Sequence, residues 1–228
     1  PNFVAMLRTI SFSFNPFPEA PESFLPCPAS MKEDAMKNGQ LKPAYNVQHG
    51  VDAEYITWLT VAPDLTDITT FIPFLKRIEK NSNFKYLKIV DDARYESEEN
   101  YSFIEENNQI SFIKPSNYEI SKTRKYKNDI SRIDNMDYYS ESDLFICQNG
   151  KKLIANWIKI RKSKTGYESV KTIYICEDCS NCNYKSQCIK GNNSKISLEK
   201  RTKKFETSKK FNRQRKEDLE RIITDEGI

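Results

Sequence analysis

Four cysteines fall within thirteen positions, "CEDCSNCNYKSQC" at 176–188, spaced C-x2-C-x2-C-x5-C over Cys176, Cys179, Cys182 and Cys188. Thiolates two residues apart reach one ion from a tight turn, and zinc takes four such ligands tetrahedrally. The chain holds a single histidine, His49, so an all-cysteine site is the natural one. A fifth donor, Cys147 in "CQNGKK", precedes an Asn-Gly turn whose backbone N–H groups are placed to bond a coordinated sulfur. Four ligands are thus to be drawn from five. The result would be a structural site with every position filled, which contributes to folding and not to catalysis. Two other readings stand beside it: a redox pair in "CEDC", and a Cys176 that is simply buried at the end of the strand-like "TIYIC".

The second chemistry-bearing stretch is "KIVDDARYESEENY". A carboxylate at the carboxyl end of a central strand sits where open α/β sheets place their sites. Asp91 and Asp92 point to opposite faces of such a strand, so at most one serves a given site. Other catalytic classes find no support. His49 has no second imidazole, no H-E-x-x-H and no nucleophile to serve as base, and neither Gly-rich phosphate loop occurs.

The elements that must position these residues follow from periodicity. "AYNVQHGVD" (44–52) and "YITWLTVAP" (55–63) read as paired strands with "DAE" as the turn. "DITTFIPFLKRIEKNSN" reads as a helix burying Phe71, Phe74, Leu75 and Ile78, with Pro73 fitting only near its first turn. "FKYLKIVDDARY" (84–95) is a buried strand. "SEENYSFIEENN" (97–108) is a helix capped by Ser97, with Tyr101 and Ile104 inward, and "QISFIKP" (109–115) is a further strand. Together they make a mixed α/β sheet.

Residues 116–140 show no period. "DLFICQNGKKLIANWIKIRKSKTGYESVKTIYI" then alternates like two or three strands with Asn-Gly and Thr-Gly turns. From Ser197 onward the chain reads as a basic helix, with Phe211, Leu219, Ile222 and Ile223 apolar. Residues 1–30 hold six of the ten prolines and five phenylalanines, without period, and are expected to be irregular.

Composition describes a soluble and rather polar chain of 228 residues, 38% hydrophobic and 30% charged. No run of eighteen apolar residues offers a membrane span. The start, "PNFVAMLRTISFSF", does not read as a signal peptide, so a cytoplasmic, reducing setting is expected, where clustered cysteines favour metal over disulfides. Net charge is +4 but unevenly spread: eleven Lys/Arg face five Asp/Glu between Lys195 and Arg221, whereas 91–106 holds seven acids. Such basic runs either form a solvated face or bind a polyanion. The residues expected to touch DNA are Lys122, Arg124, Lys125 and Lys127 of "KTRKYK", with Lys203, Lys204, Lys209, Lys210, Arg213 and Arg215. Tyr126 or Phe211 would stack.

Several stretches taken in order, "MKNGQLKPAYNVQHGVD", "DLTDITTFIPFLK", "IVDDARYESEENYSFIEENNQISFIKP", "CQNGKKL" and "YICEDCSNCNYKSQC", resemble the bacterial insertion-sequence DDE transposases whose ribonuclease H-like domain carries a cysteine-bearing insert. The resemblance spans roughly 31–228. It implies an incomplete ribonuclease H-like core at 31–115, a zinc-binding β-rich insert at 116–196 and a truncated basic helix at 197–228, with 1–30 unrelated. It also implies two-metal phosphoryl transfer on DNA, with three carboxylates holding two Mg²⁺ ions.

The family's second acid falls on Asp92, where Ala93 and Arg94 replace the family's Ser and Gly. The first acid has no counterpart between Glu22 and Glu33, and the third would lie beyond "ERIITDEGI". One carboxylate does not hold two Mg²⁺ ions, so the expectation is an inactive transposase fragment. The alternative is a zinc-stabilised, non-catalytic DNA-binding module. The implied partners are DNA and a full-length transposase subunit, with no membrane. The same resemblance favours Cys147, Cys179, Cys182 and Cys188 as zinc ligands and leaves Cys176 as the extra.

Overall fold

The computed structural model describes residues 3–12, 29–30, 43–62, 64, 66–191 and 195–224. The chain divides into two units, Pro1–Ser116 with Gln214–Ile228, and Asn117–Arg213.

In the first unit, strand β1 (Phe3–Phe12) pairs antiparallel with β3 (Pro43–Asp52), Ala5 facing Val51, and parallel with β5 (Lys88–Asp91), Ala5 facing Val90. A two-residue β2 (Ala29–Ser30) and the longer β4 (Tyr55–Ala62) both pair with β3. On the other side β6 (Ile110–Ile113) runs parallel to β5, giving the order β2-β3-β1-β5-β6 with β4 joined to β3. The sheet is therefore mixed. Residues 3–12, expected to be irregular, are instead a central strand. Its partners, β3 and β5, are both distant in sequence, so no local turn or hairpin signal marks it as a strand. The rest of the Pro/Phe-rich start, 13–28, lies outside the described residues.

The β3–β4 hairpin forms as read, turning at Ala53, which takes φ 54. Helix α1 (Asp67–Ser82) buries Phe71, Phe74, Leu75 and Ile78. Pro73 lies inside it and not in the first turn, on the exposed side, and the buried face on either side carries the helix through. Where β3 approaches α1 the residue is Gly50, at which a Cβ would meet Ile78 Cδ1 at 3.0 Å. Buried polar bonds fix the helix start: Asn46 Nδ2 donates to Asp67 Oδ1 at 2.7 Å, and Gln48 donates to Thr70. Helix α2 (Glu98–Glu106) is capped by Ser97, whose Oγ accepts from Asn100 N at 3.1 Å, and it buries Tyr101 and Ile104.

The second unit carries short helices α3 (Tyr118–Ser121) and α4 (Arg124–Lys127), then strands β7 (Asp137–Tyr139), β8 (Leu144–Ile146), β9 (Lys152–Lys162) and β10 (Glu168–Cys176). After a one-turn α5 (Lys185–Cys188), strand β11 (Lys204–Thr207) completes an antiparallel sheet ordered β11-β10-β9-β8-β7. Its core is Met136, Phe145, Leu153, Tyr174 and Cys176, with Phe205 stacked on Tyr174 at 5.2 Å between centroids.

Residues 204–207 were expected to be helical. Alternation in "KFET" lets Phe205 enter that core, and helix α6 (Lys209–Ile223) starts only after Ser208, whose Oγ accepts from Phe211 N at 3.3 Å. The residues α6 buries are Gln214 and Asp218, whereas Ile223 is 65% exposed. Among the described residues no helix is long and apolar enough to cross a membrane.

Candidate functional site: a five-cysteine pocket and a dispersed set of acids

Three strands and a turn converge to gather the cysteines. Cys147 follows β8, Cys176 ends β10, and Cys179, Cys182 and Cys188 follow in the loop and in α5. Two backbone bonds pin the ends together: Cys176 N donates to Lys203 O at 2.9 Å and Glu177 N to Lys152 O at 2.9 Å. The Asn-Gly turn closes with Gly150 N donating to Cys147 O at 2.8 Å. As a result all five cysteines line one pocket, together with Lys151, Lys185 and Lys203. Residue 147 is thereby brought to residue 182 across the fold.

The five sulfurs are not equivalent. Cys176 belongs to the apolar core and its thiol donates to Asp178 O at 3.4 Å; burial, with a bond to Cys179, pushes its pKa up to about 12. Burial also raises Cys188, while the Lys203 ammonium pulls it back down. Cys179 Sγ accepts Lys203 N–H at 3.3 Å, the kind of backbone contact that supports a metal-bound thiolate. All five are free of disulfides. Among the described residues, no group of three or more His, Cys, Asp or Glu side chains is arranged to hold a metal ion. The donor chemistry is of the kind zinc takes: five thiols and no imidazole in the lining, one carboxylate, Asp178, which is bonded to Ser180, and three lysines that would offset the negative charge of a zinc–thiolate centre.

The acids are arranged differently. Asp91 is buried at the end of β5, whereas Asp92 is exposed and caps the 3₁₀ turn Ala93–Tyr95, its Oδ1 accepting from Arg94 N at 2.7 Å. Two further acids are buried within the first unit, Glu96, which keeps the pattern after Asp92, and Asp218, which sequence reasoning passed over. Glu96 takes a bidentate bond from Arg215 at 2.6 and 2.8 Å and accepts Ser116 N at 2.8 Å. Asp218 accepts from Ser111 Oγ and Ile113 N, each at 2.5 Å, and pairs with Arg221; burial raises its carboxyl above the ordinary range, against these bonds. Tyr101, buried beside both, is raised by burial and then by the Asp218 and Glu96 charges. This network docks α6 on β6 and α2.

The basic residues expected to face DNA separate on inspection. Arg124, Lys125 and Lys127 are exposed on α4. Lys122 lies 3.7 Å from the centre of the Tyr118 ring and pairs with Glu119. Lys204 lies over Trp157, and Lys210 lies over Tyr167. Lys209 pairs with Asp143 at 2.6 Å, and Arg213 is exposed on α6. Two others are engaged within the protein: Lys203 is half-buried with its ammonium bonded to Ser131 O at 2.6 Å and Cys188 O at 3.1 Å, and Arg215 is bound to Glu96. Tyr126 is buried, bonded to Asp134 and covered by the Arg132 guanidinium at 4.1 Å.

Residues 146–228 match a family model described as "Transposase DDE domain". The resemblance drawn from the sequence holds over that stretch, which contains all five pocket cysteines and α6 and stops short of Asp91 and Asp92. A search of curated proteins and one of solved structures each returned no significant match.

Proposed function

Starting from transposase DDE-domain ancestry for residues 146–228, we propose that this chain is a DNA-binding protein with a zinc-stabilised insert and a ribonuclease H-like acid-bearing unit that does not itself catalyse phosphoryl transfer. The single observation behind the last clause is the state of the carboxylates. Two-metal catalysis needs several carboxylates converging on a pair of ions about 4 Å apart. Here Asp92 is engaged as a cap, and Glu96 and Asp218 are tied to arginines. These three acids, each engaged elsewhere, do not fit a Mg²⁺ pair.

Zinc would be held by Cys147, Cys179, Cys182 and Cys188, and it would supply cross-linking of the loop and α5 to the β8–β9 turn. Cys176 is the odd one, since its sulfur is already part of the core. Lys203 positions Cys188 and Cys179 from the pocket rim and balances their charge. DNA would be bound in a cytoplasmic setting through exposed cations of the second unit, of which the α4 group is the freest. A complete transposase subunit is the partner that would provide catalytic acids.

Elemental analysis of the purified chain, alongside Mg²⁺-dependent nicking of supercoiled DNA, tests this. About one zinc per chain without nicking is the expected result. Nicking that Asp92→Ala abolishes would overturn the non-catalytic reading, and absence of zinc would overturn the role of the pocket.

A further inference from the structure

Helix α4, which carries Arg124, Lys125 and Lys127, has four residues and is too short to hold itself as a helix. Local bonds shape it. Thr123 Oγ1 accepts Tyr126 N–H at 3.2 Å at its start, and Asn135 Nδ2 donates to Tyr126 O at 2.6 Å and to Asp129 O at 3.0 Å after its end. The Tyr126 hydroxyl bonds Asp134, and the Arg132 guanidinium covers its ring. Residues 123–135 thus form one bonded loop, with Ile133 resting on the core of the second unit.

Two lysines tie this loop to the cysteines. Lys190, two residues beyond Cys188, donates to Asp129 Oδ1 at 2.7 Å; that bond, and then those from Ser131, hold the Asp129 carboxyl below the ordinary carboxylate range. The lysine is 58% exposed, and an ion pair so placed contributes little by itself. Lys203 is bonded through every polar group it has: its N–H donates to Cys179 Sγ at 3.3 Å, its carbonyl accepts from Cys176 N at 2.9 Å, and its ammonium donates to Cys188 O at 3.1 Å and Ser131 O at 2.6 Å. The ammonium bonds are charge-assisted and half-shielded from water, which makes them the stronger tie. One residue therefore joins three of the five cysteines to the loop that carries α4.

We infer that Lys203 is a positioning residue that couples the order of the cysteine loop to the placement of α4, and so to the grip of Arg124, Lys125 and Lys127 on DNA phosphates. The inference rests on the zinc and DNA readings above and adds the link between them. With Cys179 and Cys188 held, Cys188 O is fixed and the Lys203 ammonium is clamped between it and Ser131 O. When the cysteine loop loosens, the ammonium loses one carbonyl and α4 loses its anchor. The three cations stay on the chain, but the entropy of ordering them then opposes binding. Lys203, expected from the sequence to meet a phosphate, acts instead through α4.

The test uses the full chain at saturating zinc and a random-sequence duplex. Lys203→Met removes the ammonium and keeps the stem. It should need more zinc to saturate, then exchange amide hydrogens faster in 123–135 with β9 and β10 unchanged, and bind the duplex about tenfold more weakly. Lys203→Arg should restore most of that binding. In an Arg124→Gln, Lys125→Gln, Lys127→Gln background the slope of log affinity against log salt should already be lower by roughly 2.7. There Lys203→Met should cost nothing further, because it acts through those three side chains.

A loss that persists in that background would mean that Lys203 meets a phosphate itself, and would overturn the coupling. Unchanged exchange in 123–135 would overturn it too, as would a Lys203→Met chain that takes up no zinc at any concentration, since Lys203 would then serve the metal alone. In each of these cases zinc content and duplex binding of the unaltered chain leave the readings above standing. If the unaltered chain holds no zinc or binds no duplex, that reading falls first and this inference falls with it.

Discussion

In the acid-bearing unit, charge has been drawn inside, where Glu96, Asp218, Arg215 and Arg221 join α6 to β6 and α2, whereas the cysteine-bearing unit keeps its charge outside and fills a small interior with aromatic rings and thiols. The first unit has a large apolar core around Phe71, Phe74, Ile89, Tyr95 and Tyr101, and it tolerates buried ions because each is bonded on several sides. The second has a core of five buried residues beneath a five-stranded sheet. A unit with so little apolar burial needs another source of stability, and the thiols adjoining that core are where a metal would provide it.

Removing zinc is the sharpest way to break this comparison. Chelation should unfold the second unit and spare the first. Structural zinc contributes several kcal/mol or more, and a domain this size shifts by about 4–8 °C per kcal/mol, so two separate melting transitions should appear in calorimetry. Cys147→Ser should reproduce the loss with little bound zinc. Cys176→Ser should keep its zinc and cost only core packing. The reverse ranking would assign the ligands differently.

What the sequence announced and what it concealed divide along the same physical lines. The β3–β4 hairpin, α1 and α2 were legible because one face of each is apolar at its own period, and the cysteine cluster was legible because four of its five members lie within thirteen positions. Strand β1 was not, since its identity depends on pairing with β3 and β5. Strand β11 was hidden inside a run of lysines, with Phe205 its only apolar signal. The docking acids were illegible for a simpler reason: Glu96 meets Arg215 across 119 residues and Ser111 meets Asp218 across 107. The same distance effect explains why the expected DNA contacts include side chains engaged elsewhere in the protein. No local pattern distinguishes Lys203, bonded to carbonyls at the pocket rim, from Lys159, which is exposed.

A second way to sharpen the comparison uses two ion pairs of identical chemistry and different burial. Arg215–Glu96 and Arg161–Glu206 are both bidentate, but Glu96 is 1% exposed and Glu206 31%. Arg215→Ala strands a buried carboxylate and should cost about 2–3 kcal/mol, the low end for a broken buried pair because the arginine itself is partly solvated. Replacing both partners, as Glu96→Gln with Arg215→Met, should recover part of that. Arg161→Ala should leave urea unfolding of the second unit almost unchanged, as exposed pairs do. Equal losses at the two sites would mean the contrast in burial carries no energetic weight.

The smallest expected effect is one of sign. Asp218, in the first unit, is raised by burial above its ordinary 3.8, so its folded form holds its proton more tightly than the unfolded chain does. Its contribution is complete below 3.8 and is lost as pH rises through the folded value. Asp143, in the second unit, feels burial first as well, but the bonds from Lys209, Tyr174 and Tyr138 outweigh it and hold the carboxyl below 3.8. Its contribution is present above 3.8 and is lost as pH falls through the lower, folded value. Hydrogen exchange read separately in the two units should therefore show β6 and α6 losing protection as pH rises above 3.8, a trend Asp218→Asn flattens. Protection in β8 and β10 should fall only below pH 3.8, with Asp143→Asn removing the acid limb. Parallel trends in both units would mean that burial, and not the bonding of each carboxylate, decides its charge.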